Sequence, residues 1–202
     1  MQAIRITVIH MSQEFWDRGY VVIDDLLDTA QVEFVSKGMD VSKKSGLIRD
    51  RGAKFISEAE DEYSPILGEL LLRDCRAKIE QAVGRELLQS YAYWRIYRKG
   101  AELTPHIDRE SSELAVSITI RTDPASQIWP INVDDLHGNE VNIPLPPGSG
   151  IVYLGHTVTH WREKLEAETH KQLMLFYVLK EGDFSAHVFD GREEDPLAGE
   201  TA

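Results

Sequence analysis

A chain of 202 residues is long enough to bury one substantial core and short for two. Its 34 acidic side chains outweigh 22 basic ones, for a formal charge of −12. The clustered Lys and Arg that a phosphate backbone rewards are therefore missing, and a nucleic-acid partner is disfavoured.

No run approaches the length of a membrane span, so no membrane partner is expected. The lone cysteine, Cys75, rules out an internal disulfide and suits a reducing compartment, which points to the cytoplasm. It stands in an apolar helical run and reads as a core residue rather than a reactive thiol. MQAIRITVIH, residues 1–10, alternates like a strand, and Arg5 interrupts any leader-like apolar stretch, so no signal peptide is expected. Met11 offers a second start, in which case residues 1–10 matter less to the fold.

Ser12 can cap a short helix that Gly19 ends. A strand-like YVVIDDLL follows, then a helix from Asp28 or Thr29 to about Ser45 with Val32, Val35 and Met39 on one apolar face. Residues 46–63 mix Gly with charge, show no period and read as loop. Pro65 opens the longest helix, over roughly 65–83, with Ile66, Leu70, Cys75, Ile79 and Val83 on its buried face and Gly84 at its end.

From Ser90 the pattern changes to short runs rich in Val, Ile, Tyr, Phe and Trp: SYAYWRIY, LAVSITIR, SQIWPINV, EVNI, GIVYL and LMLFYVLK. DLHGNE and PLPPGSG punctuate them as turns. Helices over about 12–84 followed by strands over about 90–180 predict one mainly β domain, a cupin-like jelly roll or double-stranded β-helix backed by N-terminal helices, with a pocket at its open end. The tail over 191–202, acidic and small, is expected to fray.

The chemistry centres on YRKGAELTPHID, residues 97–108. In an extended segment His106 and Asp108 point the same way and can close on one metal ion. A second imidazole downstream, His160, completes two His and one carboxylate, the facial set of non-haem Fe(II) oxygenases. His156, four residues earlier, shares the parity of His160, and spacing alone does not separate them. Trp94, Trp129 and Trp161 read as core or pocket lining, while Arg95, Arg109, Glu110 and Arg121 are candidates for reading a charged substrate.

H-x-D, a distal His, and a basic residue eleven positions beyond it at Lys171 resemble the Fe(II)- and 2-oxoglutarate-dependent dioxygenases, in particular the branch similar to prolyl 4-hydroxylases and phytanoyl-CoA hydroxylases. Tyr97, nine residues before His106, fits the prolyl hydroxylase-like pattern, and HWRE at 160–163 resembles members from phages and bacteria. The resemblance covers about 90–180 and implies that His106, Asp108 and His160 are the catalytic metal ligands and that Tyr97 and Lys171 bind the co-substrate. It implies Fe(II), 2-oxoglutarate and O2, with ascorbate in support, and hydroxylation of a peptidyl proline, amino acid or small metabolite with release of succinate and CO2. Asp108 favours hydroxylation, because halogenating relatives carry a small residue there. The family's usual Gly before the basic residue is absent from EAETHKQ, and Arg162 and His170 compete with Lys171 for its role.

Two other classes share such a site. One is a cupin-like metal or small-molecule binding module, and the other is a metalloenzyme without redox chemistry. The aperiodic stretch 46–63 and the turn Arg109 to Glu113 are the expected places for substrate selection.

Overall fold

In the computed structural model, which describes residues 11–52 and 55–192, the chain opens on helix α1 over 11–18 and strand β1 (Tyr20–Ile23). The region 1–10 lies outside the described residues, as does 193–202. Asp28 starts helix α2 (Thr29–Lys44) through a reciprocal cap: its carboxylate accepts from the Gln31 backbone at 2.8 Å while the Gln31 side chain accepts from the Asp28 backbone at 3.0 Å. Strand β2 (Ala59–Tyr63) and helix α3 (Ile66–Val83) follow, and α3 ends where Gly84 turns left-handed at φ 69°.

The remaining strands are β3 (Leu87–Arg98), β4 (Leu103–His106), β5 (Leu114–Asp123), β6 (Ile131–Asp134), β7 (Glu140–Ile143), β8 (Gly150–Leu154), β9 (His160–Arg162) and β10 (Thr169–Leu179). They form two antiparallel sheets, a six-stranded one in the order β1-β8-β5-β10-β3-β2 and a four-stranded one in the order β4-β9-β6-β7. Side chains alternate across the larger sheet. Ala92, Trp94, Leu173, Leu175 and Tyr177 are buried on its helix-covered face, where the Tyr177 hydroxyl donates to the Leu72 carbonyl of α3 at 2.6 Å. Tyr91, Tyr93, Arg95, Gln172, Met174 and Phe176 line a cavity on its other face. The expected double-stranded β-helix backed by N-terminal helices is what the chain forms.

Two local expectations are corrected. Residues 59–63 are an edge strand rather than loop, and AEDEY hides its period because its partners are charged or polar: Glu60 with Lys43 and Arg98, Glu62 with the Trp94 indole, and buried Asp61 with Arg51 and Arg95. In α3 the buried stripe runs through Gly68, Leu71, Leu72, Cys75, Ile79 and Val83, which leaves Ile66 exposed and Leu70 only half-buried. Of the tail over 191–202 only Gly191 and Arg192 are described: Arg192 donates to the Ser90 carbonyl at 2.9 Å and pairs with Glu69, and the rest of that expectation lies outside the described residues. Cys75 is core as expected, and burial pushes its thiol up to about 11. Among the described residues no helix is long and apolar enough to cross a membrane.

Candidate active site

Strands β4 and β9 are too short to show a period, yet their pairing sets His106 directly opposite His160. Asp108 follows β4, and its backbone N–H donates to the Gly155 carbonyl just past β8 at 2.8 Å. The His106 and His160 Nε2 atoms each stand 3.8 Å from Asp108 Oδ1, and all three ligand atoms lie within 4.8 Å of one another. His156 is not in this cluster; its ring packs on Phe184. Gly155 has no room for a side chain, because a Cβ there would fall 2.2 Å from the Ser112 carbonyl oxygen and 2.9 Å from Asp108 Oδ2.

The three side chains fit a metal on their own chemistry. His106 Nδ1 lies 2.8 Å from the Thr104 carbonyl and His160 Nδ1 lies 3.1 Å from that of Val158. A carbonyl only accepts, so both Nδ1 atoms carry the proton and both Nε2 atoms present a lone pair. Asp108 Oδ2 is buried without a hydrogen-bond partner. Burial, helped by the charge of His106, pulls His160 down to about 3, so it stays neutral at working pH. Burial also lifts the Asp108 carboxyl to about 7, against the pull of Arg95 and Arg109. Two neutral nitrogens and one carboxylate with open positions suit Fe(II).

These three side chains face a cavity of about 360 Å³, whose opposite wall is the inward row of β3 (Tyr91, Tyr93, Arg95, Tyr97) beside Gln172, Met174 and Phe176 of β10. Tyr97 lines the cavity and packs edge-on against Trp129. Phe55, from the stretch read as loop, stacks on His106 with ring centres 4.9 Å apart. Among the described residues no tryptophan lines the cavity, and Arg121 and Glu110 are exposed. The tyrosines were legible as strand residues, but nothing in their spacing told inward from outward.

Lys171 does not reach this cavity. Alternation along β10 sends it to the helix side, where its ammonium donates to the Ser36 carbonyl at 3.0 Å and Oγ at 3.1 Å and pairs with Asp40 at 2.7 Å. Arg162, two residues beyond His160 on the same strand, does not line the cavity either but lies behind Gln172, which shares Ser117 Oγ with it. Its guanidinium is fully buried, donates to the Trp129 carbonyl, lies 3.5 Å from Ser117 Oγ and has no ion-pair partner among the described residues. Burial pulls it down to about 10. Around it Arg162 Nε, His170 Nε2, Thr119 Oγ1 and Gln172 Oε1 are all buried without hydrogen-bond partners, a rare concentration for a barrel interior. Lys171→Ala is accordingly expected to cost about 1 kcal/mol of stability, since Asp40 is half exposed, and to leave the affinity for 2-oxoglutarate unchanged, as urea unfolding and calorimetric titration would show.

No protein-family model and no curated protein matches the chain. Solved structures do. A prolyl hydroxylase from Trichoplax adhaerens, in complex with a hypoxia inducible factor peptide fragment, aligns with TM-score 0.72 at 11% identity, covering 89% of this chain and 92% of that one. A 2OG-Fe(II) oxygenase family oxidoreductase from Burkholderia pseudomallei aligns with TM-score 0.67 at 12% identity, covering 84% and 89%. The epimerase SnoN of nogalamycin biosynthesis aligns with TM-score 0.69 at 13% identity, covering 86% and 81%, and has been solved with Fe3+ and alpha ketoglutarate. With two imidazoles and a carboxylate gathered at the mouth of its barrel, this chain has the fold of the Fe(II)- and 2-oxoglutarate-dependent oxygenases.

Proposed function

We propose that the protein is an Fe(II)- and 2-oxoglutarate-dependent oxygenase that hydroxylates a small molecule or a peptide side chain. The observation that carries this is the pairing, inside one barrel, of a three-ligand metal set with a buried guanidinium at Arg162 that stacks on the Trp129 ring and has no ion-pair partner among the described residues. A binding module without turnover would have no need of that cation, and burying an unpaired guanidinium is costly without an anion to meet it.

His106, Asp108 and His160 hold the metal on one side and leave the cavity side open. Arg162 receives the distal carboxylate of 2-oxoglutarate through charge-assisted hydrogen bonds, in the role that the family resemblance implied for Lys171. Gln172, His170 and the Tyr97 hydroxyl supply further polar contacts at that end. The bound iron and co-substrate supply the oxidising power: one O2 is consumed, 2-oxoglutarate becomes succinate and CO2, and one oxygen atom enters a substrate C–H bond. The apolar rings of Phe55, Tyr91 and Phe176 keep water from the reacting centre.

The fold also hosts epimerisation, as in SnoN. The test is succinate formation by purified protein with Fe(II), ascorbate and 2-oxoglutarate, with oxygenated product followed by mass spectrometry in pooled metabolites and Pro-containing peptides. Succinate with a product gaining one oxygen supports hydroxylation, and succinate with a product of unchanged mass supports epimerisation. Absence of 2-oxoglutarate binding to the metal-loaded protein would overturn the reading.

A further inference from the structure

Assigning the co-substrate to Arg162, a reading on which the role of Arg95 rests, leaves the cavity a second cation. Arg95 sits in the inward row of β3 between Tyr93 and Tyr97, and its side chain is 12% exposed. The nearest carboxylate oxygen, on Asp61, is 3.7 Å away, beyond hydrogen-bond reach, and Asp61 is shared with Arg51 at 3.3 Å. Arg95 lies against the Tyr93 and Tyr97 rings, makes a long hydrogen bond to the Tyr97 hydroxyl at 3.4 Å and also interacts with the Tyr93 hydroxyl, while its Nε has no hydrogen-bond partner. The other arginine on the cavity, Arg109, is already engaged: it donates to Asp190 at 2.8 Å, and Asp190 also accepts from the Tyr63 hydroxyl at 2.7 Å. Arg95 is close enough to the metal ligands for its charge to act on both His106 and Asp108.

The surroundings of this cation are flat and apolar. Tyr91 stacks on Phe176 with ring centres 4.4 Å apart and on Tyr63 at 5.3 Å, and Tyr93 and Met174 continue the same wall. About 360 Å³ must serve co-substrate and substrate together, which restricts the substrate's buried part to about one ring. One guanidinium without a hydrogen-bonded carboxylate matches one negative charge, and its fork matches a carboxylate; a doubly charged phosphate monoester would find no second such cation among the described cavity residues.

We propose that Arg95 determines substrate specificity by receiving a carboxylate borne on a single aromatic ring, which the wall of Tyr91, Tyr93 and Phe176 stacks against and holds across from the metal ligands.

The test uses the protein loaded with Ni(II), which binds without turnover, and saturated with 2-oxoglutarate. Phenylacetate and phenylacetamide are titrated by ligand-observed NMR. The expected result is that the acid binds about ten- to a hundredfold more tightly than the amide, and that Arg95→Met abolishes the preference while 2-oxoglutarate affinity is largely kept. Arg95→Gln, which keeps donors without charge, gives the same loss and serves if the Met variant fails to fold. Equal binding of acid and amide, no binding of either, or an unchanged preference in both variants overturns the proposal. Loss of 2-oxoglutarate binding in folded Arg95→Met also overturns it, by placing Arg95 in the co-substrate site. If wild-type protein binds no 2-oxoglutarate, the co-substrate reading fails, and the acid-to-amide comparison without it still decides the role of Arg95.

Discussion

Replacing Arg162 by Met is expected to move stability and binding in opposite directions. The methionine fills a similar volume and removes a charge that the folded protein buries without an ion-pair partner, so the metal-free variant should be more stable by about 1–3 kcal/mol in urea unfolding. Part of that gain is offset because the Trp129 carbonyl loses its guanidinium donor. In the same variant the affinity for 2-oxoglutarate should fall about a hundredfold, measured by calorimetric titration of Ni(II)-loaded protein. Arg162→Lys should recover part of the affinity, since it restores the charge and not the fork. A less stable Met variant with unchanged affinity would make Arg162 a strut of the barrel and return the co-substrate carboxylate to another group.

Removing one of the three proposed metal ligands should have the largest effect. His106→Ala, Asp108→Ala and His160→Ala are each expected to weaken divalent-metal binding by at least about a hundredfold while the fold persists, whereas His156→Ala keeps it. Metal binding should also depend on pH with a defined sign. In the metal-free protein the Asp108 carboxyl holds its proton up to about pH 7, and metal must displace it, so affinity should fall about tenfold per unit as pH drops below that value. His160 adds nothing to this slope, because its ring is neutral down to about pH 3. Ni(II) titrations between about pH 6 and 8, in buffers of different ionisation enthalpy, would show proton release that Asp108→Asn abolishes. A flat profile in the wild type would mean that the carboxylate is already ionised or is not a ligand.

Much of the architecture was legible in the residues. The caps at Asp28 and Gly84 and the β-branched runs of β5, β8 and β10 carry their own local signals. His106, Asp108 and His160 were legible as a constellation that could hold a metal, and the structure gathers them, although β4 and β9 are too short to be recognised as strands. Side-chain parity was not legible where it mattered most. Both faces of β10 are buried, so no alternation of polar and apolar residues separates Lys171 from Gln172, and a register shift between them against β5 further blurs the count. Edge strand β2 was hidden for the opposite reason, because its contacts are made by charges that resemble a solvated connector.

The anchoring of Asp108 has a mechanical consequence. The two imidazoles belong to the smaller sheet, while the carboxylate's backbone is tied to Gly155 at the end of β8 in the larger one, with no space left for a side chain between them. A bound ion is therefore a rivet between the two layers, and it resists their sliding or splaying in a way that no single strand pairing does. Loading with metal should slow amide hydrogen exchange across β4, β9 and the Asp108 turn together, as one unit, and leave the helix-backed strands β3 and β10 little changed. The mouth of the barrel would then open as a hinge whose stiffness is set by the occupancy of its own metal site.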